Sequence, residues 1–169
     1  MRKNFEIQRR FAPTGWPFCS GMSGRFTGIR NKIYLVQISQ DKFGIMLEET
    51  YTSTGETELH YRLITDWGDR FKVALDGLGA NSYVGGCSDS PPSPLCHSYS
   101  SQIYFSADSG FVEVDYSGTY LRKTRKGIKN NVLNWNVMCN YNEARGEYVK
   151  SGNQQSRCLD NLPFQKSIE

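Results

Sequence analysis

Asn130-Asn131-Val132-Leu133-Asn134-Trp135-Asn136-Val137-Met138-Cys139-Asn140-Tyr141 is the stretch whose reading decides the fold class. Leu133, Trp135, Val137, Cys139 and Tyr141 alternate along it with Asn134, Asn136, Met138 and Asn140. Successive side chains of a strand point to opposite faces, so the pattern predicts a strand with one dry side and one mostly wet side. Residues 111–124, just upstream, read as its partner. The two predict a long antiparallel unit spanning 111–141, turned at the basic stretch 122–129.

Upstream, the same alternation recurs. Residues 57–67 place Leu59, Tyr61 and Leu63 inward against Glu58, His60 and Arg62, and residues 70–76 place Phe71, Val73 and Leu75 inward against Arg70, Lys72 and Asp76. Residues 32–39 carry Tyr34, Val36 and Ile38 inward, and residues 43–52 carry Phe43, Ile45 and Leu47 on one face. Turns are expected at 40–42, 53–56, 68–69, 108–110 and 142–146, where Gly, Asp, Asn and Ser gather. Further strands are expected at 102–107 and 147–150, and less regular ones at 5–11 and 25–29. Residues 77–101 interrupt the rhythm with Gly77, Gly79, Gly85, Gly86 and a Pro-Pro-Ser-Pro cluster, so they read as one long loop of the kind that is functional or disordered. Short loops between successive strands point to an antiparallel meander.

Nine or ten strands spaced about ten residues apart suit a barrel or a sandwich, and closure would remove exposed strand edges. The expectation is an all-β protein with at most one short helix: an antiparallel meander closing into a calycin-like β-barrel, with a β-sandwich as the alternative. It forms a single domain over 1–169, with an irregular arm at 1–24, in which Trp16 and Phe18 cover one end of the core, and a polar tail at 151–169 tied by Cys158. A chain of 169 residues is long enough to bury one core.

The net charge of +3 is too small to argue for nucleic acid. No run of about 18 apolar residues is present, so no transmembrane helix is expected. The N-terminal MRKNFEIQRRF lacks the apolar core of an intact signal peptide. The chain is then intracellular, or a mature form carrying an added Met.

Five cysteines bear on that choice. Cys87 and Cys96 bracket the Pro/Ser stretch SDSPPSPL, which a disulfide would staple, and Cys139 with Cys158 would make a second. With Cys19 also in play the pairing stays open, as does the plainer alternative of five free thiols in a reducing compartment. Pairing would place the protein outside the cell or in a periplasm. Two histidines and no C-x-x-C argue against zinc.

Met22-Ser23-Gly24-Arg25-Phe26-Thr27-Gly28, ahead of the first long strand, resembles the opening of the calycin barrels, the superfamily of lipocalins and their relatives. Those chains often begin their first barrel strand with Gly-x-Trp, and Gly24-Arg25-Phe26 matches it with Phe in place of Trp. The resemblance implies a cup-shaped barrel holding an apolar or pigment-like ligand, in a group that also contains bilin-handling proteins.

In such a barrel, Tyr34, Phe43, Tyr61, Phe71, Tyr104, Tyr116 and Trp135 are the candidate ligand-binding residues. The plainer reading is a packed aromatic core, of equal weight. No catalytic residue is assigned. His60 reads as a solvated residue beside Glu58 and Arg62. His97 beside Ser98 and Cys96 has the residue types of an activated nucleophile but not the geometry. Glu113 and Asp115 face water across from Val112, Val114 and Tyr116. The basic turn Arg122, Lys123, Arg125, Lys126 and Lys129 could meet an anionic surface, but it lacks the interleaved aromatics of single-strand binders. The first functional expectation is a small-molecule-binding barrel with a small hydrophobic ligand. The second is a protein-interaction module using the 77–101 loop and the 122–129 basic hairpin. The third is a small lyase or chaperone-like enzyme acting inside the barrel. No cofactor is identified.

Overall fold

The computed structural model describes residues 30–53, 55–84, 87 and 95–165. The readings placed on 5–11, 1–24 and 25–29, with Cys19, Gly24-Arg25-Phe26 and most of the Pro/Ser stretch, lie outside the described residues. Nine strands form one antiparallel meander in strict chain order. They are β1 (Arg30–Ser39), β2 (Lys42–Ser53), β3 (Glu56–Trp67), β4 (Arg70–Tyr83), β5 (His97–Ser106), β6 (Phe111–Thr124), β7 (Gly127–Asn142), β8 (Glu147–Lys150) and β9 (Asn153–Arg157). No helix occurs among the described residues. The described sheet does not close on itself, and β1 and β9 are its edges.

The sheet has two lobes. β4 and β5 pair only at Asn81↔Tyr99, Ser82↔Ser98 and Tyr83↔His97. About this short seam it curls until β1 comes beside β5 and β4 beside β8. The core lies between the lobes: Val36, Ile38, Met46, Tyr61 and Leu63 from one, and Ile103, Val112, Val114, Tyr116 and Val137 from the other.

Residues 77–101 are not one long loop. β4 runs on to Tyr83 and β5 starts at His97. Gly77 and Gly79 belong to the strand because the backbone is approached closely there: a Cβ on Gly77 would strike the side chain of Leu159, and one on Gly79 the ring of Tyr61.

The stretch after 150 is likewise more than a polar tail. It supplies β9, then Cys158, Leu159, Leu162 and Phe164, all buried. Phe164 sits among Tyr116, Tyr99 and Tyr120, with ring centroids at 4.8, 5.4 and 6.2 Å. Such tilted and edge-on pairs add about 0.5–1.5 kcal/mol each beyond the area they bury. The reading missed this because four apolar residues spread through a polar stretch carry no strand or helix period.

Cys87 pairs with Cys96 and Cys139 with Cys158, with Cα atoms 5.3 and 5.6 Å apart. The second pair is fully buried and fastens the C-terminal segment to β7. Two such pairs are compatible with an oxidising, extracellular setting. Among the described residues no helix is long and apolar enough to cross a membrane.

Candidate interaction surface

The seven aromatic residues expected to share a cavity do not converge. Tyr61 and Tyr116 are buried in the core. The Tyr61 hydroxyl accepts from Ser101 Oγ at 3.1 Å, and the Tyr116 hydroxyl donates to the Leu78 carbonyl at 2.9 Å. Tyr34 is half-buried and donates to Glu48 Oε2 at 3.2 Å. Phe43, Phe71, Tyr104 and Trp135 are exposed.

Register explains the corrections in β2, β4 and β5. Val36↔Gly44 and Tyr34↔Met46 turn the even positions of β2 inward, so Phe43, Ile45 and Leu47 take the other face. In β4 the pairing shifts between Ile64↔Val73 and Leu63↔Leu75. That irregularity puts Phe71 and Val73 outside while Leu75 stays inside, since one extra residue inverts the alternation. Tyr104 lies opposite Glu113 on the water face. Trp135 is paired with buried Tyr116, yet its indole stays 45% exposed between buried Leu133 and Val137.

A recess between β4 and β8, lined by Leu75, Tyr148 and Cys158 among others, holds about 10 Å³, the space of a single water at most. A larger cleft of about 510 Å³ opens at the end formed by the β1–β2, β5–β6 and β7–β8 turns, with Asp41, Asp108 and Glu143 on its walls. Among the described residues no group of three or more His, Cys, Asp or Glu side chains is disposed to hold a metal ion.

The opposite end gathers the charged groups. β5 stops pairing with β6 at Tyr99↔Gly118. Gly118 has φ 129°, and a Cβ there would run into the backbone of Ser98 and Tyr99, so the position where β6 leaves the sheet requires glycine. Beyond it, β6 and β7 continue as a two-stranded ribbon from Thr119↔Val132 to Thr124↔Gly127. Its turn is held by Thr124 Oγ1, which donates to the Gly127 carbonyl at 2.7 Å and accepts from Lys126 N at 3.2 Å. The basic stretch is thus a tight two-residue turn, with Gly127 at φ 110°, rather than an eight-residue loop.

Arg122, Lys123, Arg125, Lys126 and Lys129 are all exposed on this ribbon, and no acidic residue occurs between Asp115 and Glu143. The ribbon's five positive charges exceed the chain's net +3, leaving −2 for all the rest. Arg122 faces Lys129 directly across the ribbon. Like charges in that position are destabilising by themselves. Arg122, Arg125, Lys126 and Lys129 have no carboxylate partner among the described residues.

The ribbon is tied to the disulfide loop. Asn130 Nδ2 donates to the Cys96 carbonyl at 2.6 Å, and Ser98 N donates to Thr119 Oγ1 at 3.1 Å. Beside this contact His97 spans two acceptors, with Nδ1 2.7 Å from the Leu95 carbonyl and Nε2 2.6 Å from Asn81 Oδ1. The Asn81 amide is oriented by two carboxylates, donating to Glu56 Oε1 at 2.9 Å and Glu58 Oε1 at 3.2 Å. Both ring nitrogens are thus engaged by oxygen atoms of the chain. Neither nitrogen is left to activate a neighbouring serine, and Cys96 is in a disulfide. His60 joins the same network through Glu58 Oε2 at 3.2 Å, so it is not simply solvated. Exposed Val84, Leu95, Ile128 and Val132 stand along the loop and ribbon among these polar groups.

Sequence reasoning singled out the ribbon and the loop but missed the Asn81 network, whose members lie as far as 41 positions apart (Glu56 and His97). No local pattern marks it.

No family model matches the chain, and neither the curated proteins nor the solved structures yield a match.

Proposed function

We propose that this protein is a protein-interaction module, working in an oxidising extracellular setting, that grips an acidic protein surface with its basic ribbon and disulfide loop. The carrying observation is the Asn130–Cys96 contact, which joins the densest positive charge of the chain to the Cys87–Cys96 loop. Exposed Val84, Leu95, Ile128 and Val132 are interspersed with the cations, a mixture that suits a protein interface better than a bare polyanion. The open two-lobed sheet is the scaffold in this reading, and a calycin-like barrel is not needed. The carrier reading loses support because Phe43, Phe71, Tyr104 and Trp135 do not line one cavity, and an enzyme inside the barrel loses it for the same reason.

The test is retention on an immobilised acidic polypeptide, compared with heparin, in a salt gradient. Retention on the polypeptide should drop on the double substitution R125E/K126E and also on deletion of 88–95, with circular dichroism unchanged. Retention on heparin alone, indifferent to the loop deletion, would replace a protein partner with a polyanionic one. Retention on neither would reject the surface.

A further inference from the structure

Arg122-Lys123-Thr124-Arg125 is the only Arg-x-x-Arg in the sequence, and Arg125-Lys126 forms the turn between β6 and β7. No Lys or Arg occurs between Lys72 and Arg122, or between Lys129 and Arg145. Arg122, Arg125 and Lys126 are exposed, and Arg122 and Arg125 have no carboxylate partner among the described residues. Cations elsewhere are engaged. Lys42, Arg62, Arg145 and Arg157 each face a carboxylate, and Arg70 and Lys72 lie over the Trp67 ring.

The ribbon also opens at little cost. A protease takes its substrate as a single extended strand, so a bond inside a sheet is protected until its pairing is undone. From Thr119↔Val132 to Thr124↔Gly127 no third strand lies beside the pair among the described residues, because β5 leaves β6 at Gly118 and β8 meets β7 only from Cys139 onward. An isolated two-stranded hairpin is marginally stable, and the facing Arg122 and Lys129 weaken this one further. Asn130 and Tyr120 hold its base and not its tip. Exposed tips of this kind are where chains are nicked, and the rate follows the population of the open form when reclosing is fast.

We propose that the Arg125–Lys126 bond is a processing site for a serine endoprotease that reads arginine at the cut and again three residues before it. A carboxylate at the base of the pocket selects a basic residue at the cut, and a second acidic pocket takes Arg122. Hydrolysis adds water across the amide, leaving a carboxylate on Arg125 and an ammonium on Lys126. The side-chain cations of the ribbon are unchanged. Neither disulfide crosses the cut: Cys87–Cys96 lies wholly before it and Cys139–Cys158 wholly after it. The product is therefore two pieces, 1–125 and 126–169. They stay joined by the pairing of β6 with β7 from Phe111↔Asn140 to Gly118↔Leu133, and by Phe164 packed on Tyr99 and Tyr116 of the first piece. Cleavage does not depend on what else the ribbon binds.

The experiment incubates the full, disulfide-bonded chain with a subtilisin-like endoprotease specific for Arg-x-x-Arg and follows the products by mass spectrometry. The expected result is one cut, at Arg125–Lys126, whose two pieces separate in denaturant without reductant and elute together from a sizing column in buffer. Arg125→Gln should abolish the cut. Arg122→Gln should slow it about tenfold or more, the scale of losing one charged recognition contact. Near-ultraviolet circular dichroism confirms that each variant is folded. A wild-type chain cut only after heat denaturation overturns the proposal, since the turn is then closed to proteases in the folded protein. So does an earlier cut at another bond, a cut indifferent to Arg122→Gln, or separation of the two pieces in buffer.

Discussion

Asn130 donates to the backbone carbonyl of Cys96 at 2.6 Å across 34 positions of sequence. One amide thereby fixes where the most positive part of the chain sits relative to its disulfide loop. A two-stranded ribbon is marginally stable by itself. This latch and the packing of Tyr120 on Phe164 give the base of the ribbon a fixed direction.

Arg122 and Lys129 face each other with like charge. Arg122→Glu should convert a repulsive cross-strand pair into an attractive one and raise stability by about 0.5–1 kcal/mol. The same change should weaken retention on the acidic polypeptide. A urea melt and a salt-gradient elution measure the two effects, and movement in the same direction would show that the charges serve the fold rather than binding.

The C-terminal segment should behave as core. Phe164→Ala removes a ring packed on three tyrosines and should cost about 3–5 kcal/mol, or on the order of 10 °C in melting temperature. A loss under 1 kcal/mol in thermal or urea unfolding would place the ring outside the core.

The two disulfides should open in a fixed order. Their sequence separations are 9 and 19, and a twofold difference in loop length changes closure entropy by only about 0.6 kcal/mol. Access therefore decides. Cys139 and Cys158 are fully buried, whereas Cys87 and Cys96 are half-buried. Graded reduction with alkylation and mass spectrometry should label Cys87 and Cys96 first; the reverse order would contradict the burial.

Alkali should unfold the protein through its tyrosines. Burial raises Tyr99, Tyr116 and Tyr148 above the ordinary tyrosine range, and Glu58 and Glu56 add to the effect at Tyr99. Folded hydroxyls keep protons that the unfolded chain releases near pH 10. Stability is therefore intact below about pH 10 and falls above it by about 1.4 kcal/mol per pH unit for each such tyrosine. Phenolate absorbance should show these groups ionising together with loss of circular dichroism. Independent titration of all ten tyrosines with the fold intact would count against their burial.

The strands were legible because a half-buried strand writes its period into local sequence. Residues 57–67 became β3 with Tyr61 and Leu63 inward, as read, and 111–124 became β6. The pairs Cys87–Cys96 and Cys139–Cys158 are also legible in the sequence, because each brackets a short segment. The phase of a strand was harder to read wherever both faces carry apolar residues. In β2 and β4 the alternation allows either side, and register puts Phe43 and Phe71 on the outer one.

By itself, the sequence determined an all-β meander, its strand order and the concentration of positive charge in one hairpin, since periodicity, turn chemistry and composition are local properties. The tertiary structure decided that the described sheet does not close on itself, that Leu159 and Phe164 close the core, that Asn81 joins His97 to Glu56 and Glu58, and that Leu35 and Phe71 stand outside. Those outcomes depend on register shifts and on contacts between residues tens of positions apart, where moving one residue along a strand exchanges its buried and exposed faces.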